Sequence, residues 1–460
     1  MRLNRSARAG APSSRLPLRV DQVLAAGTPA ALALWLASLP DEDITSQLID
    51  LDDDGLCALS RILTPDLART LMDVTTAAAV ARLVAAVPVP TGAGLLDILS
   101  EDEAARVIRL LEEPTARELL DAIPRSHSAL LRGLLSWPEE SAASWMRPSV
   151  IAVDARSALA DAVALASPDP EELEDGVFVL DDEGEHRLAG WVPLTALAVG
   201  PPDRPAGDAM VPAEEVLRWS VEGLADQESV LAHGRRSPSG SVPVIDAGRV
   251  IGIVTRDAIA RIAAEEARED TALQGGSSPL DGSYRAASPW QIWRARVIWL
   301  AALFLAEMYT GTVMRAFEDE LESVVALSFF IPLLIGTGGN VGTQITTTLV
   351  RAMSAEGLRL RDVGRVIGKE LAAGLMLGLT MAALGAIRAW TLGVIAPVMA
   401  TVALALLCVC LWSSLIASVL PLALKRIGLD PAVVSAPMIS TIVDGTGLVI
   451  YFMLAQAIVW

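Results

Sequence analysis

From about Asp21 to Ser136 apolar residues recur at i, i+3, i+4 and i+7, in stretches such as ALALWLASLPDEDI, LLDILSEDEAARVIRLLEEP and TARELLDAIP. That period marks amphipathic helices. Proline or acidic turns separate them, and Ser100 ahead of Glu101 and Glu103, like Thr64-Pro65-Asp66, reads as a helix start. The pattern predicts a small all-helical domain with loose internal repetition, related to solenoids, and no catalytic motif.

From about Trp145 to Ala264 the period shortens. Val150–Val153, Gly176–Leu180 and Val242–Ile245 read as strands, each followed by acidic or glycine turns and then helical text. GVFVLDDEGEHRLAGWVPLTAL and SVPVIDAGRVIGIVTRDAIARI both give strand, turn, strand, helix. This doubled pattern resembles a tandem pair of CBS modules, a family that binds nucleotides or ions and regulates an attached domain. The second copy ends in Gly252-Ile253-Val254-Thr255-Arg256-Asp257, whose Thr255 and Asp257 resemble nucleotide-contacting positions. The first copy ends in Gly190-Trp191-Val192-Pro193 and lacks them, so ATP as a ligand stays open. Asp257 to Asp270 then reads as one acidic helix, followed by the Gly/Ser/Pro-rich linker from Gln274 to Pro289.

Past Pro289 the text turns apolar in five spans, near Val297–Ala316, Ser323–Val350, Leu371–Ile387, Leu392–Leu424 and Pro431–Trp460. Each approaches or exceeds the roughly 20 residues that cross a bilayer. The fourth is long enough to bend near Ser413 and Ser414. Arg294 and Arg296 precede the first span, Arg351, Arg359, Arg361, Arg365 and Lys369 separate the second and third, and Lys425 and Arg426 precede the fifth. Glu318, Asp319, Glu320 and Glu322 lie between the first two instead. Basic loops mark the cytoplasmic side, which places the N-terminus inside and the C-terminus outside.

Composition sharpens this division. The 460 residues carry a net charge of −19 yet have a mean hydropathy of +0.46. Residues 1–288 carry −20 and residues 289–460 carry +1, so an acidic part precedes a nearly neutral membrane part. An acidic surface disfavours nucleic acid and favours cations. His127, His186 and His233 are scattered, and Cys57, Cys408 and Cys410 give no disulfide framework. No nucleophile–base pair, phosphate loop or metal-hydrolase spacing appears, so an enzyme is not expected. The basic first 20 residues read as a disordered arm rather than a signal peptide.

Two features depart from ordinary apolar helices. The second span contains Pro332 and then Gly336, Gly338, Gly339, Asn340, Gly342, Thr343 and Gln344. Each glycine costs a helix about 1 kcal/mol, so the stretch predicts either close helix packing or an interrupted helix along a polar pathway, the second being preferred. The other feature is a pair of membrane acids. Asp444 is the only acidic residue of the last span and is followed by helix-loosening Gly445 and Gly447, while Glu307 lies midway along the first. An unpaired carboxylate at bilayer depth costs about 2.5–3.5 kcal/mol and so faces a partner, a cavity or an ion. Asp444 is the stronger candidate for a hydrated Mg²⁺, which keeps several waters and touches few carboxylates. One such acid per subunit at a two-fold axis would place two charges around the ion.

The runs PLLIGTGGNVGTQ at Pro332–Gln344, LDPAVVSAPMISTIVDGTGLVIYF at Leu429–Phe452 and PEESAASWM at Pro138–Met146 resemble the MgtE family of magnesium channels, as does the domain order over nearly the whole chain. The resemblance implies an arm (1–20), an all-α N domain (21–140), a tandem α/β CBS pair (141–264), an acidic connecting or plug helix with its linker (265–289) and a five-helix membrane domain (290–460). It further implies a homodimer in the lipid bilayer of the inner membrane, importing Mg²⁺ down its gradient. The second and fifth spans line the pore, with Asp444 as pore acid and Gly445 beside it. Ala436 stands where some members carry an Asn. Bound Mg²⁺ would hold the acidic cytoplasmic domains closed, a role carried by position to Glu265, Glu266, Glu269 and Asp270 and also to Asp226, Asp246 and Asp257. Two other readings stay open: a proton-coupled divalent-cation transporter using Glu307 or Asp444, and a CBS-type membrane sensor without flux.

Overall fold

The computed structural model describes residues 19–165, 176–181, 187–280, 284, 287–355, 363–427 and 430–460. The expected amino-terminal arm up to residue 18, His186, Leu429, and Arg359 and Arg361 of the basic loop lie outside these residues. The chain divides into two compact units, Met1–Ala263 and Ala264–Trp460.

The first unit begins with short helices running from α1 (Val20–Ala26) to α10 (Arg125–Leu135), among them α8 (Glu101–Arg109). Local chemistry sets their starts: Thr28, Asp52, Thr64 and Thr76 each accept a backbone N–H from the first helical turn. Ser100, expected to cap α8 in the same way, instead donates its hydroxyl to Asp102 at 2.7 Å. Short helices cannot hold themselves in water, so the apolar stripes Leu32, Trp35, Leu56, Leu59, Leu83 and Leu96 close into one core.

Two small sheets follow. Strands β1 (Ala152–Asp154), β2 (Val177–Leu180), β3 (Leu188–Val192) and β4 (Val211–Pro212) form the first, in that order. Strands β5 (Val221–Glu222), β6 (Val242–Asp246) and β7 (Arg249–Val254) form the second. Each opens with a parallel pair and continues with an antiparallel hairpin, so the sequence duplication is also a duplication of topology. The β6–β7 turn places Ala247 at φ 46° and Gly248 at φ 80°. A two-residue hairpin turn with both φ values positive matches strand twist, and Ala247 meets that demand without the usual Asn or Gly. The two modules meet through Phe178, Trp191, Trp219 and Ile253, with the two indoles edge to face at 6.3 Å.

The second module does not have a core of its own. Val242, Val244, Val254 and the buried Ala258 and Ile262 of α16 (Arg256–Gln274) join the core of the helical domain. The acidic stretch thus forms one helix, as expected, with its first turns packed on an apolar core.

The second unit contains α17 (Pro289–Ala316), the short α18 (Glu318–Ser323), α19 (Ile331–Ala355), α20 (Val363–Thr391), α21 (Ala396–Arg426) and α22 (Ala436–Val459). Among the described residues five helical segments are long and apolar enough to cross a membrane, matching the five expected spans. One expectation changes. The glycine-rich second span is not interrupted: α19 is helical throughout, and Gly338, Gly339 and Gly342 are contact points with neighbouring helices. A Cβ on Gly338 would lie 2.7 Å from both Val409 and Val443, and one on Gly342 would collide with Ile439 and stand 2.7 Å from Ser413 Oγ. Glycine's propensity penalty is offset by close approach of α21 and α22. The fourth span is likewise helical through Ser413 and Ser414, and Pro421 lies inside it. Ser414 and Ser418 donate to carbonyls one turn back, which satisfies their hydroxyls without ending the helix.

Candidate functional site

The bundle centre is built around α22. Ile439, Val443, Leu448, Tyr451, Phe452 and Ala455 bury one face, and Tyr451 donates its hydroxyl to the Leu327 carbonyl at 2.9 Å. Trp412 donates its indole N–H to Thr446 at 2.9 Å, and Ser413 donates to the Gly338 carbonyl at 2.7 Å. These bonds fix α19, α21 and α22 against one another.

Asp444 sits on this fixed helix, half-buried. Its Oδ1 is fully buried and has no hydrogen-bond partner among the described residues. A Cβ on Gly339 of α19 would stand 2.9 Å from Ser440 Oγ and 3.7 Å from this oxygen, so the carboxylate lies beside the close contact of α19 with α22. On the next residue, a Cβ at Gly445 would come within 2.5 Å of the Tyr309 ring and 3.2 Å of Thr310 Oγ1. Gly445 therefore admits α17 to the side of α22. Thr310 Oγ1 and, on α19, Thr346 Oγ1 are also buried without partners. Three unsatisfied oxygens in one bundle are costly in protein alone, and an ion or water recovers that cost.

Glu307 is exposed on α17 and lines, with Leu303, Phe304 and Thr441, a groove of about 550 Å³. Its charge interacts with that of Asp444, one turn of α22 beyond Thr441. The two membrane acids, read separately from the sequence, thus belong to one neighbourhood.

The candidate pathway residues of α19 fall on two faces. Pro332, Gly336, Asn340 and Gln344 recur every four residues along an exposed face, and Thr343 is half-buried beside it. Gly338 and Gly339 are buried against α21 and α22 instead. Ala436 is half-buried at the start of α22, where Ser435 caps the helix by accepting the Met438 N–H. Sequence reading missed Tyr309, Thr310 and Trp412, which carry no charge and stand in apolar runs; only their spacing along α17 and α21 signals them.

In the first unit the candidate regulatory acids are dispersed. Asp226 caps its helix by accepting the Ser229 N–H at 2.7 Å, and Asp246 is exposed beside the β6–β7 turn. Asp257 is exposed in the first turn of α16. Thr255 Oγ1 accepts the Ala258 N–H at 3.2 Å, so the nucleotide-like hydroxyl serves as a helix cap. Glu265, Glu266, Glu269 and Asp270 follow along α16 in the second unit, all but Glu269 partly buried. Among the described residues no three acids, histidines or cysteines of the chain gather closely enough to hold a metal.

Comparison with known proteins agrees with this division. The family described as "MgtE: Divalent cation transporter" matches residues 331–454, the stretch holding α19 to α22, and "MgtE intracellular N domain" matches residues 28–140. Fold and matches together define a multi-pass membrane transporter of divalent cations. The magnesium transporter MgtE of Thermus thermophilus is 35% identical over 334 residues, 71% of this chain and 72% of that protein. That of Bacillus subtilis is 28% identical over 71% of each chain. The chain belongs to the MgtE family of magnesium transporters. Among solved structures, "the cytosolic domain of the Mg2+ channel MgtE in complex with ATP" resembles it with a TM-score of 0.47 and 23% identity, over 54% of this chain and all of that one.

Proposed function

We propose that this protein imports Mg²⁺ down its electrochemical gradient as a homodimeric channel of the inner membrane, with Asp444 as the acid that meets the ion. The observation that carries this reading is the buried Asp444 Oδ1, without a hydrogen-bond partner among the described residues and set beside the Gly339 contact of α19 with α22. A carboxylate so placed attracts a cation, and one or two carboxylates suit a Mg²⁺ that keeps most of its water. Pro332, Gly336, Asn340, Thr343 and Gln344 would line the path along the exposed side of α19, which a second copy would complete. In this reading the amino-terminal unit is cytoplasmic and the C-terminus outside, which Arg294, Arg296, Lys425 and Arg426 support through the bias of basic residues to the cytoplasmic side. Cytoplasmic Mg²⁺ would close the channel through the acidic stretch Glu265–Asp270 of α16, with Asp226, Asp246 and Asp257 as further contacts between copies. ATP is a candidate ligand of the second module at Thr255 and Asp257.

A second reading, proton-coupled transport, is favoured by the electrostatic interaction of Glu307 with Asp444. Mg²⁺ uptake into proteoliposomes separates the two. The channel reading expects uptake without a pH gradient, suppressed by millimolar Mg²⁺ on the cytoplasmic face and unaltered in kind by Glu307→Gln. Uptake that requires an imposed proton gradient and vanishes in Glu307→Gln would replace the channel with the coupled transporter.

A further inference from the structure

Among the described residues a charged contact joins the helical domain to α16. Arg261 of α16 donates from Nη2 to Asp102 Oδ2 at 2.7 Å and from Nη1 to Glu103 Oε1 at 2.8 Å. Both acids belong to α8, and Asp102 is only 2% exposed. The Ser100 hydroxyl donates to the other Asp102 oxygen at 2.7 Å. One guanidinium therefore spans two carboxylates, one buried and one half-buried, the fork geometry for which arginine is suited.

The same helix is tied down on either side. The Ser149 hydroxyl donates to Glu101 at 2.6 Å, and the Arg106 guanidinium lies 4.1 Å from the Trp145 ring centre. Ala258 and Ile262, the neighbours of Arg261 on α16, share a buried core with Ala104, Ala105, Val107 and Ile108 of α8. A divalent ion needs about six oxygens around it. At this junction the paired acids already have their cation, and no third acid, histidine or cysteine joins them in a metal-sized group among the described residues.

We propose that Arg261 clamps the helical domain to α16 through Asp102 and Glu103, so that this docking does not depend on Mg²⁺. The fixed positive charge takes the place a bound ion would otherwise fill between the acidic surfaces. Any sensing of Mg²⁺ is then left to acids outside the clamp, such as Glu265, Glu266, Glu269 and Asp270 further along α16. The proposal concerns docking within the first unit and stands whether or not the transport reading holds.

Hydrogen exchange on the purified full chain tests it, read by mass spectrometry on peptides covering α8 and the first two turns of α16. The native chain should exchange at the same rate in EDTA and in millimolar Mg²⁺, within about twofold, since a closed clamp keeps its opening free energy unchanged. Arg261→Gln leaves the buried Asp102 and the half-buried Glu103 without this counter-charge and should exchange about tenfold faster or more in EDTA. Arg261→Lys keeps the charge and should be as indifferent to Mg²⁺ as the native chain. Recovery of the Arg261→Gln variant in Mg²⁺ would show that the vacated acids accept the ion; loss without recovery equally supports the clamp. Native peptides that lose tenfold protection in EDTA would overturn the proposal, as would an Arg261→Gln variant as protected as the native chain. The native comparison decides alone if the variant does not fold.

Discussion

Gly336 and Gly338 stand two residues apart on one helix, and replacing each with alanine separates packing from backbone propensity. Both substitutions gain about 1 kcal/mol of helix propensity. At Gly336 the added Cβ meets nothing within 4 Å, whereas at Gly338 it lies 2.7 Å from methyls of Val409 and Val443. Ordinary contact begins near 3.4 Å, so α19 or both valines must yield about 0.7 Å in a junction pinned by the Ser413–Gly338 hydrogen bond. Overpacking of this kind costs about 1–3 kcal/mol. Propensity cancels in the comparison, so Gly338→Ala should be less stable than Gly336→Ala by about 1–3 kcal/mol. Equilibrium unfolding of the full chain in mixed micelles of increasing SDS content measures the difference. A Gly338→Ala protein as stable as Gly336→Ala would refute the reading of Gly338 as a close-contact point.

Tyr451→Phe should destabilise the membrane unit by about 1–3 kcal/mol in the same assay, because the Leu327 carbonyl loses its buried donor. Ala247→Asn should stabilise the amino-terminal unit by about 0.5–1 kcal/mol, since asparagine tolerates the positive φ that alanine holds there; an unchanged denaturation midpoint for that unit would contradict the turn assignment. Burial, then the Asp102 charge, hold the Glu103 carboxyl above its usual 4.5. The folded state thus retains a proton that the unfolded state has released, and this contribution to stability is present below pH 4.5 and lost as pH rises through the raised value. Glu103→Gln should flatten the fall of stability with rising pH across that window, and an unchanged slope would show that the group does not titrate as described.

The parts of this chain legible in sequence are those where period or charge carries the signal. The five spans, the doubled strand–turn–strand–helix text and the acidic α16 follow from hydrophobic spacing, and all appear in the structure. Asp444 stood out because a carboxylate in an apolar run is costly. The glycine run of α19 was misread as a broken helix because propensity describes one helix alone, whereas the compensation comes from Val409, Val443 and Ile439 on other helices. Tyr309, Thr310 and Trp412 went unseen for the same reason: a neutral residue in an apolar span gains its role only from the element it meets. Arg261 was hidden differently. Its partners Asp102 and Glu103 lie more than 150 positions away, and in one sequence a lone arginine among acids reads as a solvated pair within its own helix.

The most direct test of the central claim is Mg²⁺ uptake by the Asp444→Asn protein, reconstituted at the same density as the native chain under an inward Mg²⁺ gradient. Asparagine preserves the size of the side chain and removes its charge. The account expects uptake to fall by tenfold or more, as loss of about 1.4 kcal/mol or more of ion stabilisation requires, while the native chain conducts freely. Native-like uptake by Asp444→Asn would contradict it, because the charge on the buried carboxylate would then have no part in moving the ion.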